Sequence, residues 1–132
     1  MLCASLAHGG KVTKLLIIED EPIVLEMLSH ALASAGFDLI AASDGEEGLL
    51  QALKSKPDLI ITDMSLPKMT GWDLIKQIRN DLKIGQTPVI ALTAHATTED
   101  RVAAYEAGVS AYESKPLDIK KLLARIHELI GE

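Results

Sequence analysis

Short apolar runs alternate along the chain with longer segments in which apolar residues recur at helical spacing. Each short run is too brief for a helix and ends at polar, proline or glycine residues, a pattern typical of buried strands in a parallel sheet. The longer segments predict five amphipathic helices. The five predicted strands cover residues 14–18, 37–42, 59–62, 88–92 and 109–114.

Strands and helices that alternate through short connections predict one doubly wound α/β domain with right-handed crossovers. We expect a five-stranded parallel sheet in the flavodoxin-like order 2-1-3-4-5, with five helices. No internal repeat or low-complexity segment interrupts the alternation. The helical segments predict inward-facing apolar side chains at Val24, Met27, Leu28, Ala31, Leu32, Leu49, Leu50, Leu53, Leu74, Ile75, Ile78, Leu82, Ile119, Leu122, Leu123, Ile126 and Ile130.

Several helix ends are marked by their local sequence. Asp44 followed by Glu47 has the spacing of a capping box, and Asp118 is placed to cap the last helix. The hydroxyl residues Thr97 and Thr98 suit the start of the fourth helix. Gly36 suits the end of the first helix. These signals set the helices in the order that the alternation requires.

Composition narrows the class of protein. The chain has 132 residues, of which 48% are hydrophobic and 24% charged, and these values fit one globular core. The formal net charge of −6 argues against direct nucleic-acid binding. No apolar run is long enough for membrane insertion, and one cysteine fits a reducing compartment. We predict a cytoplasmic protein with a flexible extension over residues 1–12 and one domain over 13–132.

The polar residues at the ends of the strands carry the candidate chemistry. In the predicted order, Glu19, Asp20 and Asp63 follow the two neighbouring strands at which the winding reverses, where ligands bind in such sheets. Crowded carboxylates repel one another, and Mg²⁺ is the cation that all-oxygen ligands of this kind favour. Thr93 adds a hydroxyl and Lys115 a cation. This set fits phosphoryl transfer, with a carboxylate as nucleophile.

At these residues the chain resembles the receiver domains of bacterial two-component response regulators, from about residue 13 to residue 130. It looks most like the stand-alone chemotaxis-regulator and cell-division-regulator types. The motifs that carry the resemblance are the acid pair Glu19-Asp20, Asp63 in D-M-S-L-P-K-M-T-G, Thr93 in L-T-A, and Tyr112-Glu-Ser-Lys115-Pro116. Each motif is common by itself, whereas the four together in this order are highly specific.

The resemblance implies a phosphorylation site with a magnesium ion. Asp63 would accept the phosphoryl group, and Mg²⁺ would be bound by Asp20, Asp63 and the Ser65 carbonyl. Glu19 would act through a metal-bound water. In the family Lys115 corresponds to the lysine that contacts the acceptor and then the phosphoryl group, and the Lys115-Pro116 bond is cis.

The resemblance also implies a switch. Thr93 would turn to bond a phosphoryl oxygen, the backbone N–H groups of Met64 and Ala94 would help to hold it, and Tyr112 would move inward. The surface changed by the switch would be the fourth helix, fifth strand and fifth helix. Ser65 and His95 occupy positions at which the family tunes the rate of phosphate loss.

The implied partners are proteins. A sensor histidine kinase or a histidine phosphotransfer protein would donate the phosphoryl group, and a downstream protein partner would bind the changed surface. The chain would be a monomer or a weak dimer, and not an enzyme beyond weak self-dephosphorylation. Glu21 is interpreted as an ordinary acid at a helix start.

Two other functions are weighed against the switch. The first is a constitutive interaction module that is never phosphorylated, although such modules usually lose one of the acids, the acceptor or the lysine. The second is a haloacid dehalogenase-type hydrolase, which has a second aspartate two residues after its nucleophile; Ser65 stands there.

Overall fold

A computed structural model of the protein describes residues 12–94 and 97–131. The N-terminal extension predicted over residues 1–12 lies almost wholly outside the described residues. The strands are β1 (Lys14–Ile18), β2 (Asp38–Ala42), β3 (Leu59–Asp63), β4 (Val89–Thr93) and β5 (Ala111–Ser114). The helices are α1 (Pro22–Ser34), α2 (Gly45–Ser55), α3 (Gly71–Asn80), α4 (Thr98–Ala107) and α5 (Ile119–Ile130).

The strands form one parallel sheet in the order β2-β1-β3-β4-β5, which confirms the predicted fold. Successive side chains of a strand point to opposite faces, so each strand supplies two layers. On one face Leu15, Ile17 and Ile61 pack with residues of α1 and α5. On the other face Leu16, Ile18 and Ile60 pack with residues of α2, α3 and α4. The sheet is therefore covered by two helices on one side and three on the other.

The predicted caps form. Asp44 accepts a hydrogen bond from the Glu47 N–H (2.8 Å), which is the first half of the predicted capping box. The Glu47 carboxylate accepts its hydrogen bond from the N–H of Ser43, the residue before the cap (3.0 Å). Thr97 and Asp118 cap α4 and α5 in the same way, through the N–H groups three residues on. Short-range polar signals therefore placed these helix starts correctly.

The predicted buried face of α2 is wrong in part. Leu50 is 60% exposed and Leu53 41% exposed, whereas Gly45, Gly48 and Ala52 are buried. A Cβ atom at Gly48 would lie only 2.6 Å from the side chain of Ile18. The α2 backbone thus approaches the sheet through its small residues, and the leucines lie to the side.

The prediction that Leu82 and Met27 face the core is also wrong. Leu82 is fully exposed because α3 ends at Asn80, and the Asp81 carboxylate accepts hydrogen bonds from the N–H groups of Lys83 and Ile84. The resulting turn places Ile84 in the core instead. Met27 is 45% exposed, and it lines an apolar hollow with Val24 and Leu117.

Three strand starts also differ from the prediction. β2 begins at Asp38 rather than Phe37, β4 at Val89 rather than Pro88, and β5 at Ala111 rather than Val109. The Val109 N–H donates to Ala104 O and so belongs to the end of α4. At the carboxyl edge of the sheet, β3 and β4 each extend one residue beyond the prediction, so that the site residues Asp63 and Thr93 are the last residues of their strands.

Candidate functional site

The site lies at the carboxyl edge of the sheet, where β1 and β3 are neighbours. Ile18 pairs with Thr62 in the parallel register, so the residues that follow them, Glu19 and Asp63, emerge side by side. Asp63 is the last residue of β3, and its neighbour on the other side is Leu92 of β4. The strand order thus brings together groups that are far apart in the chain.

Three carboxylates meet here, as the sequence predicted. Glu19, Asp20 and Asp63 each offer an oxygen, and these oxygens all lie within 4.8 Å of one another. Glu19 is completely buried, Asp63 is 6% exposed and Asp20 is exposed. Burial raises the pKa of Glu19 above its ordinary value, an effect that its hydrogen bond with Lys115 only partly offsets.

The two buried acids are held by backbone N–H groups. Glu19 accepts from the Glu21 N–H at 3.2 Å through Oε2, and Asp63 accepts from the Ser65 N–H at 3.2 Å through Oδ1. The other oxygen of each acid, Glu19 Oε1 or Asp63 Oδ2, accepts a hydrogen bond from the Lys115 ammonium. Both side chains are therefore fixed in orientation across the cleft.

Lys115 places its ammonium among the acids. Nζ lies 3.0 Å from Glu19 Oε1, 3.3 Å from Glu21 Oε1 and 3.5 Å from Asp63 Oδ2. Burial disfavours the charged ammonium, but the hydrogen bond to Glu19 and the charge of Asp63 outweigh this and raise the pKa of Lys115. The Lys115-Pro116 peptide is cis, as the resemblance implied.

Thr93 and Tyr112 lie on adjacent strands. Thr93 ends β4 and pairs with Ser114, and the Lys115 N–H donates to Thr93 O at 2.7 Å. Tyr112 is 8% exposed, packs in the core beneath α4, and carries the Arg101 guanidinium 5.7 Å from its ring centroid. The buried ring links the sheet to the helix at which the switch was predicted.

The backbone donors around Asp63 differ in their engagement. The Met64 N–H, expected to hold a phosphoryl group, donates to Leu92 O at 3.1 Å and so belongs to the sheet. The Ser65 N–H already points to the Asp63 carboxylate. Ala94 and Ser65 line the open cleft of about 430 Å³ that also contains Asp63. His95 lies outside the described residues.

Glu21 is the site residue that sequence reasoning missed. It was interpreted as an acid serving the helix dipole, and it does occupy the position before Pro22, but its side chain makes no capping hydrogen bond. Its carboxylate instead pairs with Lys115. The available signal was its position two residues after Glu19, within reach of a cation at the same sheet edge.

Comparison with known proteins identifies the class. The family model described as the response regulator receiver domain matches residues 15–127. Among curated proteins, the transcriptional regulatory protein HprR of Escherichia coli is 42% identical over 113 residues, which are 86% of this chain and 49% of HprR. The DNA-binding dual master transcriptional regulator RpaA of Synechocystis is 35% identical over 117 residues, covering 89% and 48%. The chain spans about half the length of these curated relatives.

Solved structures agree with this assignment. The chemotaxis response regulator CheY4 of Vibrio cholerae superposes with a TM-score of 0.85 at 30% identity, over 90% of this chain and 99% of CheY4. The receiver domain of the sensor histidine kinase PA1611 of Pseudomonas aeruginosa, solved with a magnesium ion coordinated in its active-site cleft, gives 0.85 at 29% identity, over 92% and 99%.

The chain belongs to the response regulator receiver domain family. Domains of this family act in two-component signal transduction and are signalling proteins, not conventional enzymes. Within residues 12–94 and 97–131, no helix has the length and apolar character needed to cross a membrane.

Proposed function

We propose that the protein is a switch that is turned on by phosphorylation of Asp63. The observation that carries this proposal is the convergence of Asp63, two further acids and the Lys115 ammonium at one open cleft. A nearly buried carboxylate with one oxygen on a backbone N–H and the other facing a cation is oriented for attack on phosphorus. A sensor histidine kinase or a histidine phosphotransfer protein would supply the phosphoryl group.

In the proposed reaction an Asp63 oxygen attacks the phosphorus of a phosphohistidine. The new O–P bond forms as the N–P bond breaks, and the imidazole leaves with the electron pair. Lys115, 3.5 Å from Asp63 Oδ2, is placed to contact the transferred group and to balance its charge. The Ser65 N–H lies on the other oxygen of Asp63 and is a second donor near that group.

The acid cluster fits Mg²⁺. Its three carboxylate oxygens are the hard ligands that this ion prefers, and their closeness is unfavourable without a cation. Asp20, Asp63 and the Ser65 carbonyl would hold the ion, and Glu19 would act through a bound water. The ion would supply positive charge against which the carboxylates and the phosphoryl oxygens are neutralised.

The output is proposed to be a shift between two conformations. Thr93 would bond the phosphoryl group, the backbone N–H groups of Met64 and Ala94 would help to hold it, and Tyr112 would move inward with Thr93. The surface formed by α4, β5 and α5 would then bind a downstream protein. Phosphorylation can shift this equilibrium only by the difference in free energy with which the group stabilises the two conformations. Slow hydrolysis of the acyl phosphate would reset the switch.

Intact mass after incubation with acetyl phosphate tests the proposal. We expect a gain of one phosphoryl group in the wild type with Mg²⁺, and none without Mg²⁺ or in Asp63→Asn. Asp73→Asn, at an exposed aspartate in the first turn of α3, is the matched control and should gain the group. If neither acetyl phosphate nor a panel of phosphorylated histidine proteins modifies the wild type, the protein is a constitutive interaction module instead.

A further inference from the structure

Glu21 competes with Asp63 for the Lys115 ammonium. Its Oε1 lies 3.3 Å from Nζ, closer than the 3.5 Å that separates Nζ from Asp63 Oδ2. The Glu21 side chain is 62% exposed, whereas those of Asp63 and Glu19 are 8% and 0% exposed. Lys115 is thus held between two acids inside the cleft and one acid at its mouth.

The number of hydrogen atoms on the ammonium makes this competition consequential. Lysine has three N–H donors, and the three carboxylates supply three acceptors for them. A phosphoryl group on Asp63 brings further anionic oxygens to the same cation. For Lys115 to turn fully to that group, one of its present partners must give up its hydrogen bond.

Glu21 is the partner that is released at the lowest cost. Its exposed carboxylate regains water when the pair opens, and an exposed ion pair contributes little free energy. Separating the ammonium from Glu19 would instead leave a completely buried carboxylate without its cation, which is far less favourable. The pair with Glu21 is therefore the adjustable one.

We propose that Glu21 is a positioning residue that draws the Lys115 ammonium toward the mouth of the cleft and so slows phosphorylation of Asp63. This inference rests on the proposed function. The two parts of Glu21 have separate tasks, because its N–H orients Glu19 while its carboxylate holds Lys115. Replacement by glutamine retains the first contact and removes the charge from the second.

The test compares Glu21→Gln with Glu26→Gln. Glu26 is exposed and lies further along α1, so its variant changes the net charge equally at a greater distance along the chain from Lys115. With Mg²⁺ at saturation for each protein, we expect Glu21→Gln to raise the phosphorylation rate about two- to fivefold and Glu26→Gln to leave it unchanged. Intact mass at timed intervals gives the rates.

Two phosphodonors separate positioning from plain charge repulsion. Acetyl phosphate carries more negative charge than phosphoramidate at neutral pH. If Glu21 acts through Lys115, both donors should be accelerated by the same factor. An acceleration seen with acetyl phosphate alone, an equal acceleration by Glu26→Gln, or an unchanged rate in Glu21→Gln would each overturn the proposal.

A measurement without phosphorylation keeps this inference distinct from the proposed function. Nitrogen-15 NMR of the lysine ammonium groups in the unphosphorylated protein should show the Lys115 signal displaced in Glu21→Gln and unmoved in Glu26→Gln. An undisplaced signal would overturn the inference even if Asp63 is phosphorylated. Failure of every phosphodonor on the wild type would instead overturn the proposed function.

Discussion

Lys115 and Arg79 are two partly buried cations at opposite ends of the strands, and they differ in the groups that accept their hydrogen bonds. Lys115, after β5, is surrounded by carboxylates. Arg79, in the last turn of α3, donates instead to backbone carbonyls: Nε and Nη2 to Gly108 O at 2.9 and 2.8 Å, and Nη1 to Gly85 O at 3.0 Å and Thr87 O at 2.6 Å. One cation faces charges and the other faces dipoles.

The carboxylate partners of Lys115 can be given up for other ions, whereas the carbonyl partners of Arg79 cannot. Burial lowers the pKa of Arg79, whereas the carboxylates raise the pKa of Lys115 despite its burial. Carboxylates can exchange their cation for a metal ion or a proton, and the cation can then move to another anion. Backbone carbonyls have no such exchange, so Arg79 joins the end of α3 to the loop before β4 and to the end of α4. This difference supports the chemical role that we propose for Lys115 and a structural role for Arg79.

The largest expected effect is on the rate of phosphorylation. Lys115→Met removes the ammonium that would contact the phosphoryl group during its transfer to Asp63. We expect the rate of phosphorylation to fall about 10²–10³-fold. Intact mass at timed intervals measures it, and Lys121→Met, at an exposed lysine of α5, is the control. An unchanged rate in folded Lys115→Met would place this lysine with Arg79 as a structural cation.

The next effect concerns stability. Arg79→Met leaves three carbonyls without this donor, and we expect the free energy of unfolding to fall by about 2–4 kcal/mol, because water replaces the lost hydrogen bonds only in part. Phosphorylation at Asp63 should persist. Urea denaturation measures the loss. Lys76→Met is the control, because it removes an exposed cation from the same helix; the free energy of unfolding should then change by less than about 0.5 kcal/mol.

Binding of Mg²⁺ should stabilise the folded protein through the acid cluster and independently of Arg79. At an ion concentration of about 100 times its dissociation constant, the free energy of unfolding should rise by about 2.7 kcal/mol. Thermal unfolding with and without the ion measures the effect. Asp20→Asn should abolish it, while Arg79→Met, although less stable, should retain it. Retention of the full shift in Asp20→Asn would exclude Asp20 from the ion site.

The smallest effect is a pH dependence at Asp44. The hydrogen bond from the Glu47 N–H, aided by Lys68, lowers the pKa of the Asp44 carboxyl. A lowered pKa means that its contribution to stability is complete above the ordinary aspartate value of about 3.9 and is lost as pH falls through the folded value. The free energy of unfolding, measured by urea denaturation, should therefore be higher for the wild type than for Asp44→Asn at pH 7. This difference should disappear in stronger acid. An advantage that grows with acidity would contradict the capping role.

Residues governed by local sequence or by strand order were predictable. Asp44 and Asp118 cap helices because the partner N–H is three residues away. Asp63 and Lys115 meet because all strands of a parallel sheet end at the same edge. Neither conclusion requires knowledge of how closely two elements pack.

Features that depend on close packing, on a turn after a helix or on the direction of a long side chain were not predictable from the sequence pattern. The exposure of Leu50 follows from the contact of Gly48 with Ile18, which brings α2 close to the sheet. The exposure of Leu82 follows from a turn that begins at Asp81. The pairing of Glu21 with Lys115 depends on the direction of a long side chain, which hydrophobic periodicity does not report.

Helix α4 has a consequence for how such a domain can diversify. Of the residues described in this helix, Ala104 is the one buried, while Val102 and Tyr105 are each about half exposed. Most of its outer positions can therefore change with little cost to folding. Asp63, Lys115 and the acids can stay the same while the outward residues of α4 are rewritten. Under the proposed function, one inherited reaction would thus acquire new recipients of its signal.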